Sequence, residues 1–188
     1  MEEILQQLLK YVVDFDDRTL EIVSHHLKPQ FLRKNSVLLS QGEVCNDFYF
    51  VTEGCIRTCF ISKEGDEKTR YIMLSPSMGT ALTSFITRQP SFEFLDVVED
   101  TKLYSISYSD FYRLNKEQPL WALFYQKILE MAYTFQNKKI ESLVTLSAKQ
   151  RYEQLLSVNP RIIQTLSNKV VASYLDMAQE TLSRLKSK

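Results

Sequence analysis

Asn168 to Ser187 reads NKVVASYLDMAQETLSRLKS, which has the spacing of two short helices crossing steeply through a tight turn. The crossing needs a small residue in the first helix, and Ala172 supplies it. It also needs apolar side chains at set offsets around the contact. Val171, Leu175, Met177, Leu182 and Leu185 fill all five. A second helix restarts at Ala178-Gln179-Glu180, where Glu180 complements the helix dipole. Asp176 stands where such turns usually carry glycine. A left-handed conformation costs a non-glycine residue about 1 kcal/mol, and Asp tolerates it better than most.

In a DNA-reading unit of this type the second helix enters the major groove. The expected exposed readers are Gln179, Glu180, Ser183 and Arg184, with Thr181 nearer the backbone. Gln suits adenine, Glu accepts from cytosine, and Arg suits guanine or phosphate. Lys186 and Lys188 are expected to meet phosphates. The competing reading is a helical packing unit without DNA contact.

Upstream, a serine-capped helix is expected over Ser147–Ser157, interrupted at Asn159-Pro160, then Arg161–Leu166, Lys169–Leu175 and Gln179–Lys186. Together they predict a compact winged-helix-like or helix-turn-helix domain over residues 147–188. That segment holds seven Lys/Arg against three Asp/Glu, whereas the preceding 146 residues hold sixteen against twenty. A basic end on an acidic body points toward a polyanion.

Pro119 to Leu146 contains no glycine and no internal proline. Trp121, Phe124, Ile128, Met131 and Phe135 recur at alternating threes and fours, the spacing of a coiled-coil seam. The stripe weakens at Lys138 and Ser142. Such a stripe can pack on its own barrel or pair with the same helix of a second subunit; a helix this long rarely buries its whole stripe on a small barrel, so residues 117–146 are expected to form the seam of a homodimer.

All four glycines lie between positions 42 and 79, marking turns between strands. Strands are expected over Asp47–Thr52, Cys55–Ser62, Lys68–Leu74, Phe92–Val98 and Lys102–Ile106, the last two separated by a turn at Glu99-Asp100. Short helices are expected over Asp16–Leu27 and over Ser109–Asn115, the latter capped by Ser109. The pattern predicts an α+β chain whose residues 1–116 hold an antiparallel barrel or sandwich.

With 44% apolar and 24% charged residues, the 188-residue chain has an ordinary globular composition. No apolar run approaches the ~20 residues of a membrane helix. The acidic start MEEILQQLLKY lacks a basic leader, so a cytoplasmic protein without membrane contact is expected. Cys45, Cys55 and Cys59 are odd in number and suit buried thiols, not a disulfide framework. No histidine falls in the barrel segment, and no Ser/His/Asp set, phosphate loop or HExxH occurs. No metal site and no catalytic residue is assigned, and a cupin-type enzyme is the least favoured class.

The order barrel, long helix, helix-turn-helix resembles the Crp/Fnr (catabolite activator) family over nearly the full length. ASYLDMAQETLSRLKSK is similar to that family's recognition motif, and LSQGEVCNDFYFVTEGCIRTCF to its early strands, with Gly42 and Gly54 at turn positions. The resemblance implies a cyclic-nucleotide-binding-type β-roll (jelly-roll), a dimerising helix, and a two-fold-related site on double-stranded DNA. It makes RNA polymerase a candidate partner. The family's phosphate cassette pairs a Gly-Glu with a later Arg followed by a small residue. In SMGTALTSFITRQPSFEF, Gly79 is present, Thr80 replaces the Glu beside Ala81, and Ser91 occupies the arginine slot next to Phe92. Arg88, three residues earlier, is the nearest cation that could substitute. Burying a phosphate without a cation is costly. These six residues mark the expected effector pocket, cyclic AMP is not expected in it, and either another effector or none remains. A ligand-binding or docking module with a degenerate helix-turn-helix is the alternative to a transcription regulator.

Overall fold

The computed structural model describes residues 2–187, so Lys188 lies outside the described residues. Helices α1 (Glu3–Val12) and α2 (Asp17–Ser24) precede β1 (Lys28–Leu32), β2 (Val37–Leu39), β3 (Asp47–Ile61), β4 (Glu67–Leu74) and β5 (Ser77–Gly79). A short α3 (Leu82–Thr87) leads to β6 (Phe94–Ser107), α4 (Tyr108–Glu117) and the long α5 (Pro119–Thr145). The chain continues in α6 (Ala148–Val158), α7 (Pro160–Thr165), α8 (Asn168–Tyr174) and α9 (Gln179–Lys186). All strand pairs are antiparallel in the order β1-β6-β3-β4, with β2 on β6 and β5 on β3.

Two long strands carry the sheet, where the sequence suggests four short ones. Gly54 and the Glu99-Asp100 pair do not end strands; they are irregularities inside β3 and β6, whose register shifts there. Gly54 sits at φ +82°, and a Cβ on it would lie 2.2 Å from the Asp100 carbonyl oxygen. The irregular stretch keeps its backbone satisfied. The Thr101 hydroxyl accepts from the Cys55 N–H at 3.0 Å and donates to the Glu99 carbonyl at 2.7 Å. A bulge of this kind bends a strand without breaking the sheet.

The main core is aromatic. Phe48, Phe50, Phe85, Phe111, Trp121 and Phe124 are fully buried. Trp121 stacks on Phe124 at 4.9 Å, meets Phe111 edge-on at 5.1 Å, and donates its indole N–H to the Phe111 carbonyl. This corrects the expected dimer seam. Trp121, Phe124 and Ile128 pack inside their own domain, against Phe15 and Phe50 among others. Burying each such side chain contributes roughly 2 kcal/mol, which a partner subunit cannot also claim. Further along, Phe135 meets Tyr71 of β4 edge-on at 4.9 Å, and of the five Met131 alone is as much as half-exposed.

Smaller corrections concern helix ends. The first helix, α1, escaped the sequence reading although Leu5, Leu8 and Leu9 are buried at helical spacing. Helix α2 is capped by Asp16, which accepts from the Thr19 N–H. Helix α4 starts before Ser109 because Ser107 is its cap, accepting from the Asp110 N–H. Ser147 caps α6 as expected, in a reciprocal box with Gln150. Residues 147–187 are helix and turn throughout, without the strands of a wing.

The C-terminal helices are not set apart from the barrel. Leu155, Ile162, Ile163, Val171 and Leu182 share an apolar cluster with Cys55 and Ile72 of the sheet. The free edge of β4 is covered by α8. Ser173 Oγ accepts from the Thr69 N–H at 2.8 Å and donates to the Glu67 carbonyl at 2.7 Å. Lys68 pairs with Asp176 at 2.8 Å. From the other side, Lys139 of α5 donates to the Tyr174 carbonyl, its ammonium 3.6 Å from that ring's centre. Burial pulls the Lys139 pKa down to about 8, against a partial offset from Asp176.

Two expectations follow for stability. Gly54→Ala meets both a strained φ and the β6 backbone, so urea denaturation should show a loss of roughly 3 kcal/mol or more. At Gly65, where a Cβ meets nothing within 4 Å, the same change should cost only about 1 kcal/mol. The second expectation concerns Lys139. Between pH 8 and 10.5 the unfolded chain still holds a proton there that the folded chain has released. Stability should therefore rise with pH in that window relative to Lys139→Met, by about 2 kcal/mol between pH 7.5 and 9.5. Parallel denaturation curves of the two proteins at pH 7.5 and 9.5 measure it; an unchanged gap would contradict a depressed lysine.

Candidate functional site

Two regions hold the candidate site residues: the surface of α9 and a cavity between the sheet, α1 and α5.

At α9 the turn is built as the sequence suggests. Asp176 adopts φ +50°, and Val171, Ala172, Leu175 and Leu182 are buried while Met177 and Leu185 are partly so. Arg151 of α6 braces the turn, donating to the carbonyls of Leu175, Asp176 and Leu146 at 2.8–2.9 Å. On the outer face Gln179, Glu180, Ser183 and Arg184 are exposed, and Thr181 is half-buried. Arg184 reaches only back to the Glu180 carbonyl, at 3.4 Å. Lys186 departs from expectation: its ammonium turns inward to the Ile163 carbonyl and Asn168 Oδ1 at 3.0 and 2.8 Å. A phosphate would have to displace both partners.

The basic excess of this segment is likewise engaged. Lys169 lies 3.4 Å from Glu67, Arg161 donates to the Ser75 carbonyl, and Lys149 pairs with Glu153. Beneath α8, buried Arg57 holds Asp96 bidentately and Glu67 at 2.8 Å. The N-terminus of α9 opens on a cleft lined by Gln179 and Met177 on one side and by Asp66, Glu67 and Lys68 on the other.

The cavity measures about 800 Å³, within the range of small-molecule sites. Gly79 and Thr80 line it, but the other four expected pocket residues do not. Ala81 is buried at the start of α3. Arg88, at φ +60°, points elsewhere: it donates to the Cys45 carbonyl and Asn46 Oδ1, and its guanidinium lies 3.9 Å from the Tyr108 ring centre. Ser91 is buried in backbone pairing with Gly42 and Glu43, its hydroxyl accepting from the Glu93 N–H. Phe92 is half-exposed against Phe60. The six residues therefore do not converge, because the loop after α3 carries its second half away from the cavity.

Different polar groups face the cavity. Arg70 donates to Glu93 at 2.8 Å, with Glu93 only 3% exposed. With its amide oxygen turned inward, Gln136 of α5 accepts from Arg70 Nε and Nη2 at 3.1 and 2.9 Å. Arg70 reaches the cavity through a bulge: Thr58 faces Tyr71 and Cys59 faces Thr69, which leaves Arg70 unopposed between them. The polar pattern of KTRYIML carries no sign of that bulge, so the sequence reading missed Arg70, Glu93 and Gln136. The Thr80 hydroxyl is engaged, donating to the Asp47 carbonyl at 2.7 Å and lying 2.9 Å from Cys45 Sγ. Burial raises the Cys45 thiol pKa and pushes that of Cys55 up to about 12, so both are neutral thiols near neutrality.

Residues 29–118 match the family model of the cyclic nucleotide-binding domain. A search of the curated proteins finds no match. Among solved structures, a CooA variant from Carboxydothermus hydrogenoformans is 18% identical with TM-score 0.70, over 100% of this chain and 84% of that one. A protein described as a Crp/Fnr-family transcriptional regulator from Eubacterium rectale is 21% identical with TM-score 0.70, over 92% and 82%. The catabolite activator protein of Thermus thermophilus is 17% identical with TM-score 0.61, over 96% and 85%. The Asp176 turn, the long helix and the sheet built on two long strands thus have a common setting: residues 29–118 match the cyclic nucleotide-binding domain, and the chain has the fold seen in solved Crp/Fnr-type structures.

Proposed function

We propose that this chain is a homodimeric, DNA-binding transcription regulator, not an enzyme, working in the cytoplasm with a barrel that senses something other than cyclic AMP. The observation that carries the reading is the α8–turn–α9 unit. Its apolar offsets are buried, its turn residue is left-handed, and Gln179, Glu180, Ser183 and Arg184 project together from the opposite face. These four side chains stand at the N-terminal part of the second helix, which in such units contacts base edges. Cyclic AMP is disfavoured because no unpaired cation faces the cavity among the described residues: Arg70 is held by Glu93, and Arg88 lies outside.

Dimerisation moves to a different stripe from the one the sequence suggests. Tyr133, Ile140, Leu143 and Val144 are exposed apolar side chains along the C-terminal half of α5. They are left uncovered because α5 turns Trp121, Phe124 and Ile128 to the barrel and Gln136 to Arg70. Paired along it, two subunits would present two α9 helices to successive major grooves, about one helical turn apart. RNA polymerase remains a candidate partner of that complex.

The seating of α8 on β4 supports a resting arrangement. With Asp66 and Glu67 beside the start of α9, a phosphate backbone approaching Gln179 meets carboxylates. Releasing Ser173 and Asp176 from β4 removes that obstacle. An effector that prefers the released state would shift the population by its differential affinity. The same seating favours the second reading, a docking module whose α9 never leaves the sheet.

Salt separates the two. DNA selected from a random pool should bind with an affinity that falls steeply with salt, and Arg184→Ala should weaken it about tenfold or more. A salt-independent or absent interaction would leave the docking module standing. For the dimer, Ile140→Glu places a charge in the stripe and should convert a dimer to a monomer in sedimentation velocity without changing the circular dichroism spectrum per residue.

A further inference from the structure

The cavity beside α5 has a composition that specifies its occupant. Its walls are mostly apolar: Leu8 and Tyr11 from α1, Met78 from β5, and Ile128, Met131 and Phe135 from α5. The polar groups gather around Arg70, Glu93 and Gln136. Glu93 is almost fully buried and neutralises Arg70, so this pole has no net charge. Its carboxylate also stands where it would repel an incoming anion. Thr80, the residue in the place of a ribose-binding acid, has its hydroxyl committed to Asp47 and Cys45. A phosphate or carboxylate entering here would leave water for a site with no unpaired positive charge, which is unfavourable. An amide or hydroxyl meets no such penalty. It can accept from the remaining guanidinium hydrogens of Arg70 and donate to Glu93 or Gln136.

We infer that the cavity binds an uncharged amphiphile, an apolar body with one amide- or hydroxyl-type head, and that the head sits at the Arg70–Glu93–Gln136 cluster. The inference rests on the reading of the barrel as a sensor and names the class of ligand it senses. Because Gln136 belongs to α5, one turn before Lys139, an occupant's head group touches the helix that holds Tyr174 of α8. Apolar burial supplies the affinity, and the neutral pole supplies the discrimination against anions.

The test uses the full chain without DNA. N-phenyl-1-naphthylamine, an uncharged fluorophore that brightens in apolar sites, is titrated in and then displaced by decanamide, decanoate or cyclic AMP. Saturable binding is expected, with decanamide displacing at least tenfold better than decanoate, and cyclic AMP not displacing at millimolar concentration. Met131→Glu puts a charge at the half-exposed rim and should abolish probe binding while the circular dichroism spectrum stays native. Glu93→Gln frees the charge of Arg70 and should shift the preference toward decanoate. Displacement by cyclic AMP, a wild-type preference for decanoate, or a folded protein with no saturable binding would each overturn the inference. Loss of DNA binding with intact decanamide binding would instead overturn the regulator reading and leave the cavity assignment in place.

Discussion

Packing of Trp121 and Phe124 into the barrel determines where everything after residue 119 lies. Trp121 is anchored twice, by stacking on Phe124 and by its hydrogen bond to the Phe111 carbonyl. Phe124 closes against Phe15 and Phe50. A straight helix pinned at its first three turns has little freedom in the remaining four, since α5 is continuous from Pro119 to Thr145. The pinning sends Phe135 onto Tyr71, Gln136 to Arg70 and Lys139 to Tyr174. It also turns Tyr133, Ile140 and Val144 outward. One aromatic contact thus sets the cavity wall, the support of α8 and the exposed apolar stripe.

The edge of β4 is the second determinant. An unpaired sheet edge is a liability in any protein, and here α8 covers it through one side chain that both accepts and donates, Ser173. The charges beneath form a continuous chain: Asp96 to Arg57, Arg57 to Glu67, Glu67 to Lys169. Arg57 is buried and fully hydrogen-bonded, which holds its proton firmly. The outer links, Lys169 and Lys68, are more exposed, and surface pairs of this kind contribute little to stability. The inner part of the chain is therefore buried scaffold, and the outer part is held weakly. Such a gradient is what a separable contact requires, and a permanent interface would not need it.

Much of the architecture was legible because it is written in local spacing. The helices α6 to α9 follow from caps, proline and 3.6-residue periodicity, and the left-handed Asp176 follows from the turn they need. The barrel was legible from β-branched and aromatic runs between glycines, but its strand count was not. Whether Gly54 ends a strand or bends it depends on how closely β6 passes, a long-range fact absent from the local pattern. The same holds for the stripe on α5. Periodicity identifies an apolar face without naming what covers it, and Trp121, Phe124 and Ile128 are covered by their own barrel. The cavity was the least legible part. Thr80 and Gly79 were placed by resemblance, and they do line it. Arg88, Ser91 and Phe92 belong to a loop whose course depends on backbone pairing with Gly42 and Glu43. Arg70 reached the cavity only through a bulge.

These two determinants meet at α5. A helix pinned at Trp121 responds to a contact farther along chiefly by tilting or by local repacking, since its interior hydrogen bonds do not stretch. Gln136 and Lys139 are three residues apart, on neighbouring turns of one face. A ligand head that takes the Gln136 amide away from Arg70 acts within one turn of the lysine that holds Tyr174. Lys139 is itself poised for change, being a buried ammonium with a carbonyl and a ring for partners and no close carboxylate among its hydrogen bonds. A small displacement that lets water reach it would solvate the ammonium and cost it the Tyr174 contact. The cavity wall and the support of α8 therefore share one turn of α5, held above by an aromatic core and ending below on the Lys139–Tyr174 contact.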